Sequence, residues 1–325
     1  MRLATQENGT PDGRLLVVSA DGARFLAPSA PNLLSAIADW EGYEPELRAL
    51  ADRLQEGEGR ALSIDSLRAP MPRTWQWLDG SAFGTHGRLM QVAFGLPPIE
   101  TDRPLMYQGM SDRFHGPRDL VPFPSEADGI DFEGEFAVIV DAVPMGVTPK
   151  QAMRHIRLIM QINDWSLRAI APAEMKTGFG WIQAKPACSA APFAVTPDAL
   201  GDAWADGRVC MELGVAVNGR PFGHPNGAAM DVGFHELVAH AARTRDLVAG
   251  TVIGSGTVSN DDYALVGSTC ISEVRAIEII RNGNPSTPFL SFGDVVRMEG
   301  RTKAGAAPFG AMEQRIGLAK SPLER

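Results

Sequence analysis

A chain of 325 residues with 44% hydrophobic and 21% charged residues has the composition of a soluble globular protein, folded as one large domain or two unequal ones. Its net charge of −9 argues against a nucleic-acid or anionic-membrane partner, although a local basic pocket could still take an anionic substrate. The three cysteines, Cys188, Cys210 and Cys270, lack metal-ligand spacing and fit buried free thiols; with no apolar run of roughly 18 residues and no cleavage signature at the N-terminus, a cytoplasmic protein is expected.

Arg2 to Thr5 and Leu15 to Ser19 read as strands separated by the turn Thr10-Pro11-Asp12-Gly13, and Asp21-Gly22 reads as a further hairpin turn. Between Asn32 and Leu54, the residues Leu33, Leu34, Ile37, Trp40, Leu47, Leu50 and Leu54 recur at helical spacing and predict one or two helices. Residues 56–75 are polar, then rich in Pro and Arg, and read as a linker. This divides the chain into a small β-rich N-terminal domain, 1–75, and a main body, 76–325.

The main body reads as many short strands between Gly and Pro. Thr148 and Pro149 suit the cap and first position of a helix running to about Met160. Glu212 to Arg220 is a strand entering the Asn218-Gly219 turn, and Phe234 to Ala242 reads as helix. Val252 to Val258, Ser272 to Ile280 and Val295 to Met298 read as strands. The expected class is α+β, mostly β with some α, with the helices packed outside.

Four segments carry chemistry. In Asp131-Phe132-Glu133-Gly134-Glu135, two carboxylates at period-two spacing lead into an apolar strand and aim at one face. Like charges on a partly buried face repel, and a divalent cation with oxygen ligands would neutralise them; the alternative is a solvated edge strand with two unrelated glutamates. In Asn163-Asp164-Trp165-Ser166-Leu167-Arg168, an acid and a base four residues apart share a face if the segment is helical or a tight turn. A surface ion pair is the bland alternative, although the apolar flanks argue against a freely solvated Asp164. Gly250 to Val258 gathers small residues around Thr257, which lets backbone and hydroxyl approach a ligand, without the spacing of a P-loop or dinucleotide fingerprint. Phe292-Gly293-Asp294 is a turn into a late strand.

In this order, with a lysine between the second and third, these segments resemble the fumarylacetoacetate hydrolase family over roughly residues 76–316. The resemblance implies that family's mixed β-sandwich roll behind a small β-rich N-terminal domain. It also implies a divalent metal, Mg²⁺ or Ca²⁺ with Mn²⁺ as a further option, held by four carboxylates: Glu133, Glu135, Asp164 and Asp79. Asp79 precedes His86 by seven residues, the family's spacing between metal aspartate and catalytic base. Asp112 and His115 offer a competing placement with a different spacing. Arg168 and Lys185 match the family's cations, Glu273 matches the partner of the histidine, and Tyr107 and Thr257 match substrate contacts. Taken alone, Lys185 reads as a surface lysine and His86 as a packing residue. One position departs: the family's hydrolases of this type carry Gln three residues after the arginine, and this chain has Ala171.

The implied activity is hydrolysis of a carbon–carbon bond in a fumarylacetoacetate-like 1,3-diketo acid, in the breakdown of tyrosine or other aromatic compounds, by a homodimer. Acylpyruvate or fumarylpyruvate hydrolysis, decarboxylation and isomerisation are the alternatives within the fold. A metal-stabilised binding or scaffold protein is the alternative outside catalysis. His86 would take a proton from water, Glu273 would orient its ring, and Lys185 with Arg168 would stabilise the oxyanion and offset the excess negative charge of the four carboxylates.

Overall fold

The computed structural model describes residues 1–97 and 101–320; the last residues of the expected main body, 321–325, lie outside that range. Strand and helix contribute equally, at 27% each, and the N-terminal region is small and β-rich. No helix among the described residues is long and apolar enough to cross a membrane.

The centre is an 11-stranded sheet. From one edge its strands are Arg60–Ala61, Arg24–Leu26, Arg14–Val18, Arg2–Gln6, Ala194–Val195, Ile156–Asn163, Gly134–Val140, Val252–Gly254, Trp77–Gly80 and Met106–Gly109, with Ser189–Ala190 beside Ile156–Asn163. The N-terminal strands therefore continue the sheet of the main body through the pairing of Arg2 with Val195. All pairings are antiparallel except that of Val252–Gly254 with Trp77–Gly80. A second sheet of five strands runs Arg220–Gly223, Glu212–Val217, Val295–Arg301, Met312–Leu318, Val121–Phe123. Its hairpin turns at Asn218 and Gly219, both with positive φ (52° and 75°), the geometry an Asn-Gly pair allows.

The strand Gly134–Val140 is buried along its whole length because both faces are covered. Phe136, Val138 and Val140 pack into one core with Phe132, Trp165 and Phe234. Ala137 and Ile139 pack into another with Trp77, Leu158, Met160 and the N-terminal Leu3, Leu33 and Leu47. This second core binds the N-terminal helices Leu33–Ala38 and Trp40–Gln55 to the sheet.

Three elements differ from the sequence expectation. The helix begun by Thr148 and Pro149 ends at Ala152 after one turn, and Ile156–Asn163 is a strand. Its apolar run fits either period, and pairing with Gly134–Val140 decides for strand. Ile271–Asn282 is a helix, with Glu273 in its first turn and Arg281 in its last. The strand expected over Ser272 to Ile280 falls within this helix. Gly84–Phe94, read as part of a strand-rich stretch, is the helix that carries His86.

Candidate metal centre

Sheet register brings the carboxylates together. Asp79 lies opposite Tyr107 on one side and beside Gly254 on the other, Gly254 lies opposite Ala137, and Glu135 lies opposite Ile162. Residues directly opposite share a face, as do residues two apart along a strand, so Tyr107, Asp79 and Glu135 rise from the same face at one end of the sheet. The backbone N–H of Asp164 donates to the carbonyl of Glu133 (2.9 Å), which extends the pairing by one step. Gly254 has to be glycine, since a Cβ there would stand 2.5 Å from Asp79 Oδ1 and run into the Trp77 ring.

Asp79, Glu135 and Asp164 each offer an oxygen within 4.8 Å of the others, and all three are buried. Burial, followed by repulsion from Asp164, pushes the Asp79 carboxyl well above its ordinary range. Burial and then Asp79 do the same to Glu135. Among the described residues, neither oxygen of Glu135 meets a hydrogen-bond donor. A buried carboxylate with no donor and acidic neighbours fits a divalent cation as its missing partner, and an all-oxygen set suits Mg²⁺, Ca²⁺ or Mn²⁺. The residues present therefore fit the implied metal.

Glu133, the fourth expected ligand, is engaged differently. Its Oε2 accepts from Lys185 Nζ (2.5 Å) and its Oε1 from Arg168 Nη2 (2.5 Å). Against burial, Lys185 and Arg168 hold its carboxyl well below the ordinary range. Lys185 also donates to Asp164 Oδ2 (2.6 Å), and these carboxylates keep its ammonium charged despite burial. Arg168 pairs with Asp131 and Glu133 rather than with Asp164, because Ser166–Leu167 is a short strand and not a helix. Tyr107 donates its hydroxyl to Asp164 Oδ2 (2.6 Å) and stands edge-on to Trp181. Thr257 is buried beside Gly256, whose N–H donates to Asp79 Oδ1 (3.2 Å).

His86 faces Glu273 from the neighbouring helix, with Nδ1 to Oε2 at 3.1 Å. Glu273 is fully buried, and its other oxygen accepts from Ser259 Oγ (2.9 Å). A carboxylate on Nδ1 fixes the tautomer and leaves Nε2 as the basic nitrogen. Asp112 and His115 join neither cluster; His115 Nδ1 instead faces Asp119 at 3.9 Å. Ala171 opens the helix Ala171–Thr177 and has no side-chain donor.

Two residues were not singled out from sequence. Asp131 is fully buried and accepts from the N–H groups of Ile271 (2.7 Å) and Ser272 (2.9 Å) and from Arg168 Nε (2.8 Å). It ties the helix bearing Glu273 to the arginine bound to Glu133. Its period-two spacing ahead of Glu133 was the available signal. Cys188 donates its thiol to Asp164 Oδ1 (2.9 Å), and nothing in its sequence context marked it.

Two surface hollows of about 300 and 550 Å³ lie along the five-stranded sheet, and neither is lined by these residues, so the site is identified by its chemistry.

The family description "Fumarylacetoacetate (FAA) hydrolase C-terminal" matches residues 76–317, and "Fumarylacetoacetase N-terminal domain 2" matches residues 1–73. The fumarylacetoacetase of Caenorhabditis elegans is 25% identical over 76% of this chain and 63% of its own. A mitochondrial oxaloacetate tautomerase of Bos taurus is 24% identical over 68% and 73%. The match spans about half to two-thirds of the length of the first curated relatives. Among solved structures, a Sphingobium maleylpyruvate hydrolase in complex with manganese and pyruvate superposes with a TM-score of 0.67, at 18% identity, covering 98% of this chain and 100% of that one.

Proposed function

We propose, from the premise that this chain belongs to the fumarylacetoacetate hydrolase family, that it is a divalent-metal enzyme hydrolysing a carbon–carbon bond in a small 1,3-diketo acid. The observation that carries the reaction type is the His86–Glu273 pair: hydrolysis needs an activated water, and a buried glutamate on Nδ1 equips the ring to take its proton.

The metal ligands in this reading are Asp79, Glu135 and Asp164, with Glu133 as the fourth carboxylate. When bound, the cation would neutralise these acids and polarise the two substrate oxygens. His86 Nε2 removes a proton from water, and Glu273 stabilises the imidazolium that results. Lys185 has two N–H bonds committed to Glu133 and Asp164, so one is left to face a developing oxyanion. Arg168 acts through Glu133, keeping that carboxylate charged and in place. Tyr107, whose phenolic oxygen can still accept, and Thr257 contact the substrate. The N-terminal region 1–75 would be a small accessory domain, and the active form a homodimer.

A second reading, tautomerisation or decarboxylation on the same metal, is favoured by Ala171, which leaves the position of an oxyanion donor without one. A panel of fumarylacetoacetate-like, acylpyruvate and oxaloacetate-like acids assayed with Mg²⁺ separates the readings by acid release, CO₂ release or absorbance change without cleavage. The expected result is acid release, slowed about 10²–10⁴-fold in His86→Ala. Full activity in that variant, or after complete metal removal, would overturn the hydrolase reading.

A further inference from the structure

We propose that His86, Glu273 and Cys270 form a second, separate metal site, for a thiophilic ion such as Zn²⁺, which disables the histidine–glutamate pair when filled. One donor atom from each of these residues lies within 4.8 Å of the other two, and the set shares no member with the cluster Asp79, Glu135 and Asp164. The chemistry of the two clusters differs in kind. Three carboxylates suit a hard ion that prefers oxygen. A thiol, an imidazole and a carboxylate are the ligand types of zinc, and three protein ligands with one open position are a common zinc arrangement.

Local structure explains why these atoms converge. Cys270 caps the helix Ile271–Asn282, with its Sγ accepting the N–H of Glu273 (3.3 Å). Capping folds the Cys270 side chain over the first turn, where Glu273 sits three residues on. His86 meets them from the helix Gly84–Phe94, with its Nδ1 3.1 Å from Glu273 Oε2. Cys270 and Glu273 are fully buried, while the His86 side chain is 18% exposed and provides the approach for an ion and for a water in the open position.

The charges close. A thiolate, a carboxylate and a neutral imidazole balance a dipositive ion, and the thiol proton leaves to solvent on binding. The nearby Arg168 guanidinium is already paired with Asp131 and Glu133. A bound ion takes the Glu273 carboxylate and a ring nitrogen of His86, which ends the hydrogen bond that sets the tautomer. Inhibition rests on the reading of His86 as base; binding does not.

The test is a titration of Mg²⁺-saturated protein with Co²⁺ or Cd²⁺. One equivalent is expected to produce a thiolate-to-metal charge-transfer absorption that is lost in Cys270→Ser and kept in Cys188→Ala. Zn²⁺ is expected to inhibit turnover in a way that excess Mg²⁺ does not relieve. In Cys270→Ser that inhibition should weaken by at least the roughly 10–100-fold typical of losing an outer-shell partner. Serine is itself a favoured helix cap. If Cys270→Ser still fails to fold, His86→Ala should abolish the same absorption from the exposed side. No charge-transfer band in the parent protein would overturn the proposal. So would a band lost in Cys188→Ala, which would place the ion among the carboxylates. The absorption is read without turnover, so it separates this site from the hydrolase reading.

Discussion

Asp164 accepts hydrogen bonds from Lys185, Tyr107 and Cys188, which occupy three of the roughly four lone-pair directions of a carboxylate. Glu135 uses none. The two acids therefore play different parts in holding an ion, one fixed in direction by its neighbours and the other held only by its strand. Replacing Glu135 by Gln should abolish Mg²⁺ binding in calorimetry while leaving the melting temperature of the metal-free protein unchanged or higher, because the environment already disfavours a charge there. Cys188→Ala should cost about 1 kcal/mol of stability and lower Mg²⁺ affinity on the order of tenfold, since it frees Asp164 Oδ1 to turn. At this scale much was legible. Spacing alone singled out Glu133 and Glu135 as a pair of carboxylates, and motif order named Asp79, Asp164, Lys185 and Arg168 beside them. The missed residues act through hydrogen bonds across the fold, which no local spacing displays; Cys188 is one. Asp131 was legible in principle, by the same alternation that marked Glu133.

At the level of elements, the helix Ile271–Asn282 and the strand Ile156–Asn163 were each assigned the opposite structure from sequence. Both are short and rich in residues that pack well in either form, so the outcome was set by partners distant in the chain: Gly134–Val140 for the strand, and Asp131 with Gly84–Phe94 for the helix. Asp131 reaches both the N-terminus of that helix and Arg168. Asp131→Ala should destabilise the protein by about 3–5 kcal/mol, the cost of leaving a buried charge without its partner, measurable as a lower denaturant midpoint. Gly254→Ala tests another element. Its Cβ would press on Asp79 and Trp77, so Mg²⁺ binding should be lost in a protein that keeps its far-ultraviolet circular dichroism. The Asn218-Gly219 hairpin and the helices Leu33–Ala38 and Trp40–Gln55 were readable because turn chemistry and a long helical period settle them locally.

Across the whole molecule, the raised carboxyls of Asp79 and Glu135 make stability depend on pH and on metal together. The unfolded chain releases their protons near pH 4, whereas the metal-free native state retains them to higher pH. The native state then binds more protons, so these two groups lower stability as pH rises through that window. A cation substitutes for the protons. The stabilisation given by a fixed Mg²⁺ concentration, read as a melting-temperature increase, should therefore grow from pH 5 to pH 8; where that concentration is a hundredfold over Kd it amounts to about 2.7 kcal/mol. An increment that shrinks with rising pH would contradict this. That the N-terminal strands extend the central sheet was not visible in sequence, because composition marks a linker at 56–75 but not which edge the strands join.

The three-residue strand Val252–Gly254 lies between Trp77–Gly80 and Gly134–Val140, so Asp79 and Glu135 become neighbours only after residue 254 is in place. More than a hundred residues are synthesised after Glu135 before that strand exists. Contacts so distant along the chain form late in folding. Metal capture is then a signature of completed folding. Mg²⁺ should slow unfolding and leave the refolding rate nearly unchanged, and a nascent chain that ends before Val252 should hold no ion at all.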